Sequence, residues 1–192
     1  MYPDTNTLFP ISIADLLLRL GDAGVIEILW SDYLLAEVER VLTERKSLTR
    51  TQAGYFCGCI RDSFPNGRIA ADEYAELIAT RTGPDPDDHP HSAAASAARA
   101  DVLVSADKNG YPARDIAPAV RMSADEFLTA LFKRNRNLRE GIIRNVEQMA
   151  TSRRAPVPVS NIFDALDRAG AVNLATQLRR FGDNADETNA AN

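Results

Sequence analysis

A chain of 192 residues is long enough for one ordinary domain and a modest extension, and 45% hydrophobic with 26% charged residues is the balance of a globular chain. No apolar run approaches the ~20 residues a bilayer span needs, and an acidic residue at position 4 leaves no room for a secretory leader, so the cytoplasm is the expected compartment and no membrane partner is expected. The net charge of −5 argues against a general nucleic-acid binder, yet residues 133–154 hold seven basic side chains against two acidic ones, beside an otherwise acidic body.

The chain opens on a very short apolar piece that ends at Asp4. Ser12 is placed to cap a helix with the apolar stripe Ile13, Leu16, Leu17 and Leu20, closed by Gly21 and Gly24. Residues 25–30, VIEILW, read as a buried strand, and Ser31 or Asp32 then caps a second helix whose face is Leu34, Leu35, Val38, Val41 and Leu42. Thr49 with Gln52 predicts a capping box for a third helix, which Pro65, Asn66 and Gly67 stop near Ser63. Cys57 and Cys59 lie two apart on that helix and diverge, which excludes a shared disulfide or metal and fits a reducing compartment.

A shorter helix over 72–80 is followed by a rigid Gly-Pro-Asp-Pro turn at 83–86 and a helix of small residues over 92–100. Residues 101–105, DVLVS, are the clearest strand, followed at once by Asp107 and a Gly-Tyr-Pro turn. Ser123 and Glu126 predict a capping box for a helix carrying Phe127, Leu128 and Leu131, which pauses near residues 135–137. Leu138, Ile142, Val146 and Met149 then mark a further amphipathic helix. A linker at 152–160, two short helices at 161–169 and 172–181, and a polar, disordered tail complete the chain. Strands alternating with helices predict an α/β fold with a mostly parallel sheet.

In such sheets function collects at the carboxyl ends of the strands. Asp4 and Asp107 each follow an apolar run, Asp88 stands at a helix start where it can also accept backbone N–H groups, and Glu37 borders an apolar helix face in the first turns after the second strand. If these four meet, their charges raise one another's pKa values or recruit cations. Mg²⁺ suits such hard oxygen ligands, and a pair of such ions activates water and stabilises the leaving oxygen of a phosphodiester with no catalytic His, Cys or Ser.

DTNTLF at 4–9, WSDYLLAEVERVL at 30–42, DPDDHPHSAAASAARADVLVSAD at 85–107 and SADEFL at 123–128 occur in an order and spacing that resembles bacterial PIN domains, with the VapC-type toxins of toxin–antitoxin pairs as the nearest likeness. The likeness covers roughly residues 1–130 and extends less specifically into the helices beyond. It implies a three-layer PIN-like fold: a five-stranded parallel sheet between helices in residues 1–132, a C-terminal helical extension over 133–181 and a disordered tail over 182–192. It also implies a ribonuclease whose catalytic, metal-holding acids are Asp4, Glu37, Asp88 and Asp107, supported by Asn6 and Ser105, with Mg²⁺ or Mn²⁺ as cofactor. RNA as substrate, an antitoxin partner that blocks the site and often a homodimer follow from the same likeness.

Three features depart from the family pattern. Only Met1, Tyr2 and Pro3 precede Asp4, and Pro3 lacks the N–H a central strand would use. The last acidic position tolerates Asn in that subgroup, which makes Asp107 the most dispensable of the four. His89-Pro90-His91 replaces a more apolar stretch; a metal-ligand pair is one reading, but side chains two apart on a helix diverge and Pro is ordinary in a first turn.

Arg134, Arg136, Arg139 and Arg144 either solvate a helix face or hold the phosphate backbone of RNA, a task an acidic site cannot perform itself. The rival enzyme class is a haloacid-dehalogenase-like phosphatase, which the run Asp4-Thr5-Asn6-Thr7-Leu8 resembles except that Asn6 stands where that family has its general acid. The rival non-enzyme is a PIN-like module that only binds RNA or protein.

Overall fold

The computed structural model describes residues 1–45, 48–152 and 154–190, with side chains described as far as Gly182. Five short strands are present among them: Tyr2–Pro3 (β1), Trp30–Ser31 (β2), Arg68–Ile69 (β3), Val102–Val104 (β4) and Val120–Met122 (β5). The helices of the first half are Thr5–Leu8 (α1), Ile11–Asp22 (α2), Asp32–Arg45 (α3), Arg50–Ser63 (α4) and Ala71–Ile78 (α5). Those of the second half are His89–Ala97 (α6), Ala113–Ile116 (α7), Ala124–Arg134 (α8), Arg136–Thr151 (α9), Val159–Arg168 (α10) and Val172–Ala190 (α11). The chain divides into two units, Met1–Pro10 with Ile26–Ser123, and Ile11–Val25 with Ala124–Asn192.

All strands lie in the first unit and all pair in parallel, as the alternation with helices predicts. Instead of the single five-stranded sheet expected, they form a three-stranded sheet, order β1-β4-β5, and a two-stranded sheet, β2-β3. The reason is the brevity of β1. Between the two sheets Met1 exchanges, among the described residues, two bonds, its amino group donating to Glu27 O (2.7 Å) and its carbonyl accepting from Leu29 N–H (2.9 Å). Pro3 has no N–H to extend that ladder. The strand expected over 25–30 accordingly contracts to β2, while the one expected over 101–105 keeps its middle as β4.

Ser31 and the capping box of Thr49 with Gln52 start α3 and α4 as anticipated: Ser31 Oγ accepts from Leu34 N–H (3.2 Å), and Thr49 and Gln52 bond reciprocally. Helix α6 begins three residues earlier than its small-residue run suggests, with Pro90 in its first turn. Its alanines 93, 94 and 95 are wholly buried, so the helix packs closely on α5 and α7.

The second unit is helical. Ser12 does not cap α2, which begins at Ile11; its hydroxyl donates instead to Ala165 O (3.1 Å). The helix ends where Gly24, at φ +67°, lets Val25 N–H reach back to Leu20 O (2.9 Å). The pause between α8 and α9 is a cap, Asn135 Oδ1 accepting from Leu138 N–H (2.9 Å). Asp125 caps α11, accepting from Leu174 N–H (2.9 Å) and Asn173 N–H (3.2 Å). Of the sequence expectations, Arg153 and residues 191–192 lie outside the described residues, as do the side chains of 183–190. No helix among the described residues is long and apolar enough to cross a membrane.

Candidate active site

Asp4 prolongs the pairing of β1 by one residue, its N–H donating to Val104 O (2.9 Å). Its side chain then caps α1: Oδ1 accepts from Thr7 N–H (2.8 Å), and the Thr7 hydroxyl, with one proton to give, stands within reach of both Oδ1 (2.8 Å) and Val104 O (2.7 Å). The Ser105 hydroxyl also bonds to this carboxylate and accepts from Asp107 N–H (3.0 Å), so it links two of the expected acids. Asp4 is 2% exposed, and burial pushes its carboxyl above the usual range against the opposing pull of those bonds and of His91.

Asp88 caps nothing. It occupies the N-cap position of α6, but no backbone N–H of that helix is held by its carboxylate, contrary to the sequence expectation. Its Oδ1 accepts from the buried Tyr111 hydroxyl (2.9 Å). Asp107 curls over its own turn, Oδ1 accepting from Asn109 N–H (2.8 Å) and Gly110 N–H (2.9 Å). The second oxygens of both aspartates are then directed to one place. A Cβ on Gly110 would stand 2.7 Å from Asp88 Oδ2 and 2.7 Å from Asp107 Oδ2. Among the described residues no donor reaches either Oδ2. Burial raises the Asp88 carboxyl, and the charges of Asp85 and Asp4 add to that rise against the Tyr111 hydrogen bond and the charge of His91. Burial, with Asp4 and Asp88 nearby, likewise keeps the Tyr111 phenol protonated and therefore a donor.

Glu37 faces other company. Its Oε2 accepts from the Thr5 hydroxyl and pairs with His91 Nε2 (2.8 Å), while Oε1 lies 3.5 Å from Arg40 Nη2. His91, 2% exposed, places Nδ1 3.1 Å from the Tyr2 hydroxyl, which in turn meets Ser31 Oγ at 2.9 Å. The bond from His91 holds the Glu37 carboxyl down to about 2, with Thr5 adding to it and burial opposing. His89 is structural too, its Nε2 donating to Gly83 O (2.9 Å). His91 thus uses both ring nitrogens within the fold and His89 uses its Nε2, and the two rings serve different partners, away from the metal-pair reading.

The sequence offered no signal for several residues on which this arrangement depends. Tyr111 and Gly110 were visible only as part of a turn. Asp115 sits beneath the loop that delivers Asp88, accepting from Thr82 N–H (2.6 Å), Gly83 N–H (3.0 Å) and the Thr82 hydroxyl. Burial would raise its carboxyl, but these bonds outweigh burial and hold it below the usual range. Asn6, in contrast, is exposed on α1 and bonded to nothing in the cluster. Arg134, Arg136 and Arg144 are exposed, Arg136 being ion-paired to Glu140 (2.6 Å), and Arg139 lies over the Phe132 ring (5.5 Å from its centroid).

The donor set fits a hydrated, oxygen-seeking cation. Among the described residues no three His, Cys, Asp or Glu side chains are already gathered as a metal cage. Mg²⁺, however, takes one or two carboxylates and completes its shell with water and phosphate oxygens. Asp88 and Asp107, each with an oxygen to spare, and Asp4 beside Asp88 match that need.

The model of the PIN domain matches residues 4–109, just over half the chain, from Asp4 to two residues past Asp107. The chain belongs to the PIN-domain family. No curated protein and no solved structure matches it. PIN domains are generally nucleases, and all four acids anticipated from the sequence fall inside the matched stretch.

Proposed function

We propose that this PIN domain is a divalent-metal-dependent endoribonuclease, cytoplasmic, and the toxin of a type II toxin–antitoxin pair, with a cognate antitoxin as the partner that blocks the site. The observation that carries the nuclease reading is the convergence of Asp88 Oδ2 and Asp107 Oδ2 beside Gly110, with the buried Asp4 next to them. Such a concentration of acid at the edge of a parallel sheet is costly unless a cation is held there. When bound, Mg²⁺ or Mn²⁺ supplies Lewis acidity to a phosphodiester and lowers the pKa of water.

The residues of the chain do the rest. Tyr111 occupies Asp88 Oδ1 and so leaves Oδ2 turned to the cation site; Ser105 and Thr7 fix Asp4; the Asn109 and Gly110 amides fix Asp107. Gly110 keeps the space between the two carboxylates clear. Arg134, Arg136, Arg139 and Arg144 supply cationic contacts to the RNA backbone, the exposed Arg134 and Arg144 most directly. The phosphatase reading lacks its acid, since Asn6 is exposed and apart from Asp4's partners.

The test is cleavage of RNA by the purified chain with Mg²⁺ or Mn²⁺, abolished in Asp4→Asn and in Asp88→Asn. Cleavage that persists in chelator, or in both variants, overturns the reading. Growth arrest on expression, relieved by the product of the adjacent gene, tests the toxin role; the elution volume of the purified chain tests the homodimer that the likeness implied.

A further inference from the structure

Glu37 has the surroundings of a brace. Its Oε2 already takes two donors, the Thr5 hydroxyl and His91 Nε2, and among the described residues its Oε1 faces only Arg40, a cation. Oε2 must surrender a hydrogen bond to accept an inner-sphere metal, and an ion at Oε1 would meet the Arg40 cation, whereas among the described residues the Oδ2 atoms of Asp88 and Asp107 have no donor to lose.

The two donors come from significant places. Thr5 is the residue after Asp4, and His91 lies about one helical turn beyond Asp88 on α6. Behind His91 the chain of bonds continues through the Tyr2 hydroxyl, on the strand that delivers Asp4, to Ser31 Oγ, which takes Leu34 N–H at the head of α3. Three elements that supply or flank the acids are therefore joined at one half-buried carboxylate, backed by the buried His91, Tyr2 and Ser31. A satisfied network of this kind favours a single geometry.

We infer that Glu37 is a positioning residue rather than a metal ligand, and that the His91–Glu37–Thr5 clamp sets the placement of Asp4 against Asp88. The inference rests on the proposed cation site. Second-shell partners of a metal site act in this manner, by fixing the ligands before the ion arrives.

The experiment is Mn²⁺ binding to the full chain, read by the loss of the free-ion electron paramagnetic resonance signal at a temperature well below the unfolding midpoint. Glu37→Gln keeps an acceptor for both Thr5 and His91, and its affinity stays within about threefold of wild type, whereas Asp88→Asn loses about tenfold or more. His91→Ala weakens Mn²⁺ binding by about tenfold and His91→Gln, which restores a donor near the Nε2 position, recovers most of it. Thr5→Val, isosteric and free of the hydroxyl, repeats the loss if the His91 variants do not fold.

Equal losses in Glu37→Gln and Asp88→Asn would make Glu37 a ligand and overturn the clamp alone. Unchanged affinity in both His91→Ala and Thr5→Val would overturn its positioning role. Failure of wild type to bind Mn²⁺ would overturn the cation site itself, and the inference with it.

Discussion

Two carboxylate clusters lie in the same unit of this PIN domain and have opposite hydrogen-bond economies. Around Glu37 one oxygen takes Thr5 and His91, the other faces the Arg40 cation at 3.5 Å, and Tyr2 and Ser31 stand behind the imidazole. Around Asp88 and Asp107 each carboxylate is held by one oxygen while the other points at the space beside Gly110. The first pattern is how a fold stabilises a half-buried charge; the second is how a fold leaves charge available to something it does not itself contain. Acidity alone does not separate them, since all are plain Asp and Glu. The distribution of donors does.

The largest effect expected from breaking this contrast is on chemistry. Asp88→Asn reduces Mn²⁺-dependent RNA cleavage by at least about 100-fold, since even outer partners of a metal are worth ~10–100-fold, while unfolding by urea moves little. Gly110→Ala comes next. Its new methyl would stand 2.7 Å from both Oδ2 atoms and force the carboxylates apart. The displaced atoms are side-chain ends, so the expected outcome is about a tenfold loss of Mn²⁺ affinity, measured by calorimetry, with a midpoint change near that of an ordinary surface substitution.

A smaller effect is read in stability. Asp4 and Asp88 have raised carboxyl pKa values, so what they contribute to stability is greatest at low pH, where they are protonated, and is lost as pH rises through the raised values. A bound cation removes that penalty at neutral pH. Mn²⁺ at about 100 times its dissociation constant adds ~2.7 kcal/mol, a rise of roughly 5–10 °C in Tm that Asp88→Asn cuts by about half or more.

Glu37 has the reverse sign. Its carboxyl is lowered from 4.5 to about 2, so its contribution is present above pH 4.5 and disappears as pH falls toward 2. Glu37→Gln flattens that acid limb of the stability curve by no more than about 3 kcal/mol, measured by urea unfolding from pH 5 to pH 2. The smallest expected effect lies outside both clusters. Charge reversal at Arg136 and Arg139 together weakens RNA binding and lowers the salt slope by about 2, with Mn²⁺ affinity unchanged. Unchanged RNA affinity at low salt would remove that segment from the interface.

Much of this was open to a reader of the chain. Helices α3, α8 and α9 carry apolar stripes at helical spacing, and the starts of α3 and α4 are marked by Ser31 and Thr49. Strand β4 is apolar enough to be seen at once. Strands β3 and β5 are not, because two or three residues that include Arg68 or Arg121 have no pattern of their own and become strands only by pairing with β2 and β4. The acids were found through the order and spacing of family motifs, but the roles of Tyr111, Gly110 and Asp115 depend on approaches between segments far apart in the chain.

What the sequence determined by itself was the kind of fold and which acids are candidates for a site. Apolar periodicity, caps and the placement of Asp and Glu at element ends are local properties, and local properties survive in a one-dimensional reading. What only the tertiary structure decided was which acids stay available. That depends on where the donors Thr5, His91, Thr7, Ser105 and Tyr111 arrive in space, because the letters Asp and Glu do not say which carboxylate oxygen meets a donor or a cation and which faces open space.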